Sequence, residues 1–295
     1  MSTWKASFVV PAIERLPWEE ALEHLSEDGF VVTSREVSRD GPWRIEIFGE
    51  GAREKVKAAL GGAPDPHWEE LPDTDWVAEN QRSFRPFEVG PFWVHPSHAA
   101  DGMPAGLLPL KIDAGLAFGT GTHATTRGCL KLLATLDPRE TTNAVDVGSG
   151  SGILAIAMAK LWQRPVLGGD NDAETVAVAR ENAGLNGVGD LCRFVHAAGL
   201  RAAELEERAP FDLVVANILA GPLTNLSDLF AAAVRPGGRV LLSGLLVEQA
   251  THILATYAWR GFTFERRIDL ETGGAWWRSL LLRRQEADYP SRHPD

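Results

Sequence analysis

Residues 144–152 read Ala-Val-Asp-Val-Gly-Ser-Gly-Ser-Gly, a short apolar strand running into three alternate glycines. Ile153 to Leu161 then continues with helical periodicity. Glycines in such a turn admit backbone angles closed to other residues and let a ligand approach the main chain. The helix start beyond them presents free N–H groups. Beyond Leu161 the chain repeats the strand-then-helix theme. We expect strands at Val166–Asp170, Cys192–Val195, Asp212–Ala216 and Arg239–Ser243. Helices are expected at Ala173–Ala183, near Leu223–Ala233 and at about Val247–Ala258, with one at Thr125–Leu136 before the first strand. Regular alternation of this kind builds a doubly wound, parallel α/β sheet. Phe262–Ile268 and Trp276–Leu282 are strands with no helix between them, so the last of seven is expected to run antiparallel.

Ligands of such sheets gather at the carboxyl ends of the strands, which selects the candidate residues. The loop is G-x-G-x-G rather than the G-x-G-x-x-G of dinucleotide enzymes, and Asp146 stands just before it. An acid there suits the ammonium of a methionine moiety better than a pyrophosphate, which points to S-adenosylmethionine. Gly148, Gly150 and Gly152 are then cofactor-binding, together with Asp146. Asp170 closes the next strand, where a carboxylate can accept both ribose hydroxyls, while Asp172 reads as a helix cap. Asn217 follows the fourth strand in Asn217-Ile218-Leu219-Ala220-Gly221-Pro222, where the methyl acceptor must arrive. Its carbonyl oxygen can accept a hydrogen bond from an amine, making it the candidate catalytic residue; a plain turn or cap role is the alternative. Upstream, Gly115 to Thr126 is rich in glycine and threonine but lacks the lysine of a phosphate loop. Phe118, Gly119 and Thr126 are expected to close over the methionine end, and His123 to be positional rather than a base.

The N-terminal part follows a different plan. Lys5–Val10, Phe30–Val37 and Trp43–Phe48 read as strands, and Pro17–Glu27 and Ala52–Leu60 as helices. That β-α-β-β-α order suggests a small α+β domain of ferredoxin-like type. Boundaries are expected at 1–62 for this domain, 63–75 for a linker marked by Pro64, Pro66 and Pro72, 76–285 for the sheet domain, and 286–295 for a tail. Phe87 to Val94 resembles a hairpin entering the second domain.

Of a net charge of −11, −7 falls in residues 1–74, with 8 Lys/Arg against 15 Asp/Glu. This balance argues against broad nucleic-acid binding and leaves open either a solvated surface or recognition of a basic partner. No apolar run is long enough to span a bilayer, and no signal pattern opens the chain. Cys129 and Cys192 form neither a metal spacing nor a disulfide framework, so no metal is expected and a reducing cytoplasm is.

Together, residues 113–126, Asp146 to Ala157, Asn217 to Pro222, Ser243-Gly244-Leu245 and Trp276-Trp277-Arg278 resemble one family. It is the bacterial methyltransferase of large-subunit ribosomal protein eleven, PrmA. The resemblance covers about residues 76–283, and the N-terminal domain by size and element order only. It implies a Rossmann-like class I methyltransferase fold, S-adenosylmethionine as donor and S-adenosylhomocysteine as product. It also implies that Thr126, Gly148, Asp170 and Asn217 contact the cofactor or line its site. The small acidic domain would hold the basic ribosomal protein, in an enzyme expected to be a cytoplasmic monomer.

Two departures from related methyltransferases bear on the acceptor. Enzymes acting on planar amides or bases carry Asn/Asp-Pro-Pro-aromatic where this chain has Asn217-Ile218-Leu219-Ala220, which favours a flexible aliphatic amine. No acid follows the third strand in His196-Ala197-Ala198-Gly199, so adenine must be held by backbone or apolar contacts. The expected reaction is direct in-line transfer to the N-terminal α-amine and lysine ε-amines of the ribosomal protein, driven by proximity and orientation. At pH 7 deprotonation costs about 1 kcal/mol for an α-amine and about 4.6 kcal/mol for a lysine. Leu219 and Phe118 could lower the latter by desolvation. Transfer to another protein, a small amine or RNA, and a non-catalytic cofactor-binding scaffold, are the rival readings. Modification at several places on one substrate would call for a hinge within Gly61–Asp73.

Overall fold

In the computed structural model the described residues are 3–22, 25, 30–38, 41–61, 65–70, 85–99, 102–113 and 121–286. The chain divides into two compact units, Met1–Glu79 and Asn80–Asp295.

The first unit contains β1 (Thr3–Val10), α1 (Arg15–Leu22), β2 (Val31–Glu36), β3 (Trp43–Glu50), α2 (Arg53–Ala59) and β4 (His67–Glu70). Strand order is β2-β3-β1-β4 and every pairing is antiparallel. The period-two alternation of β1 turns Trp4, Ala6, Phe8 and Val10 inward onto Ile45, Ile47, Leu22 and Val56. β4 corrects the expected boundaries. Residues 67–70 lie inside the stretch read from its prolines and acids as a linker, yet they pair with β1 residues 4–7. Trp68 supplies the reason, because its ring meets Trp4 edge-on at 5.0 Å and joins that core. Those four residues are therefore part of the first unit's sheet and drop out of the stretch available as a hinge.

The second unit is built on seven strands: β8 (Ala144–Val147), β9 (Val166–Asp170), β10 (Cys192–His196), β11 (Phe211–Asn217), β12 (Val234–Leu246), β13 (Phe262–Thr272) and β14 (Ala275–Arg284). Their order is β10-β9-β8-β11-β12-β14-β13. β10, β9, β8, β11 and β12 pair in parallel, and β14 runs antiparallel to both its neighbours. This is the expected doubly wound sheet with its antiparallel last strand. Between the strands come α4 (Ile153–Trp162), α5 (Ala173–Leu185), α6 (Ala203–Arg208), α7 (Ala220–Asn225), α8 (Ser227–Ala233) and α9 (Ala250–Ala258), with α3 (Ala124–Leu133) ahead of β8.

Both faces of the sheet are covered, so its central strands are buried on both sides and read as unbroken apolar runs. In β11, Leu213 and Val215 pack with α3 and α4 residues such as Leu130 and Ile156, while Val214 and Ala216 pack with Leu223 and Phe230 on the opposite face. A smaller sheet of β5 (Phe87–Val89), β6 (Phe92–His95) and β7 (Leu108–Lys111) belongs to the same unit. β5 and β6 form the expected hairpin; β7, which pairs parallel to β6, was not anticipated. Neither was α6, whose only buried side chain is Leu205, too little to leave a periodic signal. The helix expected near Leu223–Ala233 is two helices meeting at Leu226 and Ser227. Among the described residues no helix is long and apolar enough to cross a membrane.

Candidate active site

The site forms at the carboxyl ends of β8, β9 and β11. Gly148 and Ser149 donate their N–H groups to the Gly169 carbonyl at 2.8 and 3.1 Å, tying the glycine loop to β9. Gly152 closes the turn by donating to Ser149 O at 2.8 Å. A Cβ on Gly148 would lie 2.4 Å from Ile218 Cγ2, so the loop and the segment after β11 are in close contact. A Cβ on Gly152 would meet the Phe194 ring at 2.9 Å and Ala179 at 3.1 Å. Gly152 therefore packs against β10 and α5, and the cleft is lined by Gly148 and Gly150 instead.

Asp170 is held from two sides. Its Oδ2 accepts from Gly150 N at 2.9 Å and its Oδ1 from Asp172 N at 3.1 Å, which fixes the carboxylate between loop and α5 and leaves each oxygen a free lone pair. Asp172 is the cap expected of it, accepting from Glu174 N and from the Thr175 hydroxyl, both at 2.9 Å; these bonds hold its carboxyl below the usual range.

Asp146 is only 1% exposed and lies behind the loop, not on the cleft wall. Its Oδ2 accepts from Ala155 N at 3.2 Å, while Oδ1 has no partner. Burial pushes this carboxyl up to about 7, with the neighbouring Asp170 charge adding to the effect. Gly148 and Gly150 line the cleft where Asp146 does not.

Asn217 ends β11 with its two amide atoms in different circumstances. Nδ2 donates to Thr126 Oγ1 at 3.2 Å, whereas Oδ1 is buried without a partner. Thr126 is fully buried in the first turn of α3, whose start is capped by His123. The His123 Nδ1 accepts from Thr125 N at 3.4 Å and shares a 2.8 Å hydrogen bond with Thr125 Oγ1. Its ring meets Trp277 edge-on at 4.7 Å, and burial lowers its pKa, favouring the neutral form. In the structure His123 thus serves as the cap of α3.

A bulge in β12 completes the floor. Ile218 N donates to Ser243 O at 3.1 Å, and Gly244 comes next at φ +88°. A Cβ there would sit 2.2 Å from Ile218 O, so only glycine lets the two backbones approach this closely. Gly148, Gly150, Asp170 and Asn217 surround a cleft of about 680 Å³, to which Ile218, Leu219 and Trp277 contribute apolar wall. Leu219 is 67% exposed on its rim. A second hollow of about 450 Å³ shares Gly148, Asn171 and Ile218 with the cleft and is floored by Ala197, Ala198 and Leu226. Phe118 and Gly119 lie outside the described residues. The exposed Leu219 stands where the sequence placed it, just after Asn217, whereas the roles of Gly244 and Trp277 were not legible from spacing, because β12 and β14 bring them in from far along the chain. Among the described residues no group of His, Cys, Asp and Glu is placed to hold a metal ion.

The family profile described as "Ribosomal protein L11 methyltransferase (PrmA)" matches residues 50–284. This chain belongs to the PrmA family. A ribosomal protein L11 methyltransferase of Rhodopseudomonas palustris (strain BisB5) is 41% identical over 290 residues, covering 94% of this chain and 96% of the relative. One from Brucella abortus (strain S19) is 40% identical over 258 residues, covering 86% of this chain and 90% of its own length. Among solved structures, the ribosomal protein L11 methylase of Lactobacillus delbrueckii subsp. bulgaricus matches at 30% identity with a TM-score of 0.58, covering 69% of this chain and 100% of that one. The PrmA-family chain is accordingly an enzyme, a methyltransferase, and its seven-stranded unit has the class I methyltransferase fold.

Proposed function

We propose that this PrmA-family enzyme uses S-adenosylmethionine to methylate amines of ribosomal protein L11, its N-terminal α-amine and lysine ε-amines, by direct transfer. The observation that carries the reading is the buried, unpartnered Oδ1 of Asn217 beside the cleft. A buried acceptor without a donor is costly, and an amine arriving from the cleft supplies the missing N–H. With that hydrogen on Asn217, the nitrogen lone pair is left free to face along the cleft.

The residues present fit the cofactor. Asp170, braced by Gly150 and Asp172, would take the ribose hydroxyls on its remaining lone pairs. Gly148 and Gly150 would allow close approach along the loop. We assign adenine to the hollow over Ala197 and Ala198, whose apolar floor answers the absence of an acid after β10. When bound, the cofactor supplies a methyl group on a sulfonium, electrophilic enough to need no covalent enzyme intermediate. Leu219 and Trp277 would line the path of a lysine stem and exclude water, which lowers the cost of a neutral amine. The proton given up by the amine passes to solvent, and no described residue is required as a base.

The acidic N-terminal unit is our candidate for holding the basic substrate, by charge complementarity. The test is transfer of tritiated methyl groups from S-adenosylmethionine to purified, undermethylated L11, with ribosomal RNA and a small alkylamine as parallel acceptors. Label on L11 with peptides mapping to amine positions is expected. Label on RNA or the small amine alone, or on nothing, would overturn the proposal.

A further inference from the structure

Asn217 and Thr126 sit on different elements, and one residue touches the neighbours of both. Ser243 is the ladder partner of Asn217 in the parallel β11–β12 pair. Its carbonyl accepts from Ile218 N at 3.1 Å, gripping the backbone immediately after Asn217. Its hydroxyl points the other way and donates to Thr125 O at 3.2 Å, gripping the backbone immediately before Thr126. Behind it, Ser279 on β14 shares a 2.8 Å hydrogen bond with Ser243 Oγ and reaches Thr125 O at 3.5 Å.

The surroundings show how closely this joint is built. Ser243 and Ser279 are buried. A Cβ on Gly128 would fall 2.3 Å from Ser279 Oγ, so α3 is pressed onto β14 at the point where the two hydroxyls meet its first turn. The Cys129 thiol close by is buried as well, and burial pushes it up to about 12, which keeps it protonated. Apolar side chains of similar size would fill the same space. They would not tie the carbonyl next to Thr126 to the strand beside Asn217, as the serine hydroxyls do.

We propose that Ser243, backed by Ser279, is a positioning residue for methyl transfer, holding α3 and β11 in the register that keeps Thr126 on the Asn217 amide and Asn217 Oδ1 turned to the acceptor. The proposal rests on the reading of Asn217 under the proposed function. It predicts that loss of the Ser243 hydroxyl damages the chemical step and spares cofactor binding.

The experiment compares Ser243→Ala and Ser279→Ala with Ser227→Ala. Ser227 is an equally buried control whose hydroxyl donates to Thr224 O at 2.5 Å, away from the cleft. Each full-length variant is assayed for kcat, KM for L11, S-adenosylmethionine Kd by calorimetry, and Tm. Small displacements of reacting groups are costly, so Ser243→Ala is expected to lose about 10-fold in kcat, with Kd within about twofold of the parent. Ser279→Ala should fall in between, and Ser243→Cys should recover part of the loss. Ser227→Ala should lose Tm alone. If the kcat of Ser243→Ala and Ser279→Ala merely tracks that of Ser227→Ala while Asn217→Ala is impaired, the positioning proposal is wrong and the Asn217 reading stands. If Asn217→Ala itself retains full kcat, the reading beneath both is wrong.

Discussion

Asn217 donates its side-chain amide to the Thr126 hydroxyl at 3.2 Å, joining the end of a central strand to the first turn of a helix 91 positions earlier. The bond decides which end of the amide faces the cleft. With Nδ2 on Thr126, Oδ1 is the atom left without a partner, and under the proposed function that acceptor oxygen selects an N–H donor.

That arrangement makes Thr126 separable from Asn217. Thr126→Val keeps the shape and removes the hydroxyl, so the amide is no longer locked. We expect kcat to fall about 10-fold, against about 100-fold for Asn217→Ala, in line with the loss of one preorganised polar group. Single-turnover transfer to L11 measures both, and equal rates for Thr126→Val and the parent would dismiss the lock.

Asp146 predicts a pH effect of known sign. Its carboxyl is raised from 3.8 to about 7 in the folded protein, so the native state holds this proton more tightly than the unfolded chain. Stability contributed by the neutral form is full below about pH 4 and is lost as pH rises toward 7 and beyond. Asp146→Asn should therefore match the parent near pH 4 and exceed it at pH 8, by about 4 kcal/mol if the unpaired charge is fully felt. Thermal melts of the protein alone at the two pH values decide this; an advantage that shrinks with rising pH would contradict it.

Two glycines should respond oppositely to alanine. Gly244 has a positive φ of +88° and its Cβ would lie 2.2 Å from a backbone oxygen, whereas Gly184, in α5, has nothing within 4 Å. Gly244→Ala is expected to cost about 2 kcal/mol or more and to displace Ile218 and Asn217 with it. Gly184→Ala should gain about 0.5–1 kcal/mol. Denaturant midpoints for the pair are the measurement.

His123 should prove dispensable as a base. Asparagine also caps helices well, so His123→Asn is expected to keep α3 intact, with kcat within about threefold and no lost limb in the pH–rate profile. Disappearance of a limb near neutral pH would reinstate His123 as a proton acceptor.

The doubly wound sheet was legible because its strands and helices each carry one strong period, and because the glycine loop marks the turn where the first unit of the pattern begins. The same logic placed Asp170 and Asn217 at strand ends, and both stand there on the wall of the cleft. Spacing could not reveal that Asp146 and Gly152 serve the packing behind the loop, since an acid or glycine looks alike whether it faces a ligand or a helix. β4 was hidden by prolines on either side and betrayed only by Trp68. Ser243 and Ser279 left no signal, because two serines 36 residues apart meet only through strand pairing.

β14 turns back into the sheet between β12 and β13; it carries Trp277 to a cleft whose other walls come from residues 123–244, and Ser279 to Ser243 behind it. During synthesis these are the last pieces the ribosome adds to the pocket. A polypeptide stopped short of residue 275 would lack one wall of the cleft, the brace behind α3 and the buried Leu280, Leu281 and Leu282. It would also leave β13 without its partner strand, so the sheet and the cleft are completed together by the same late segment.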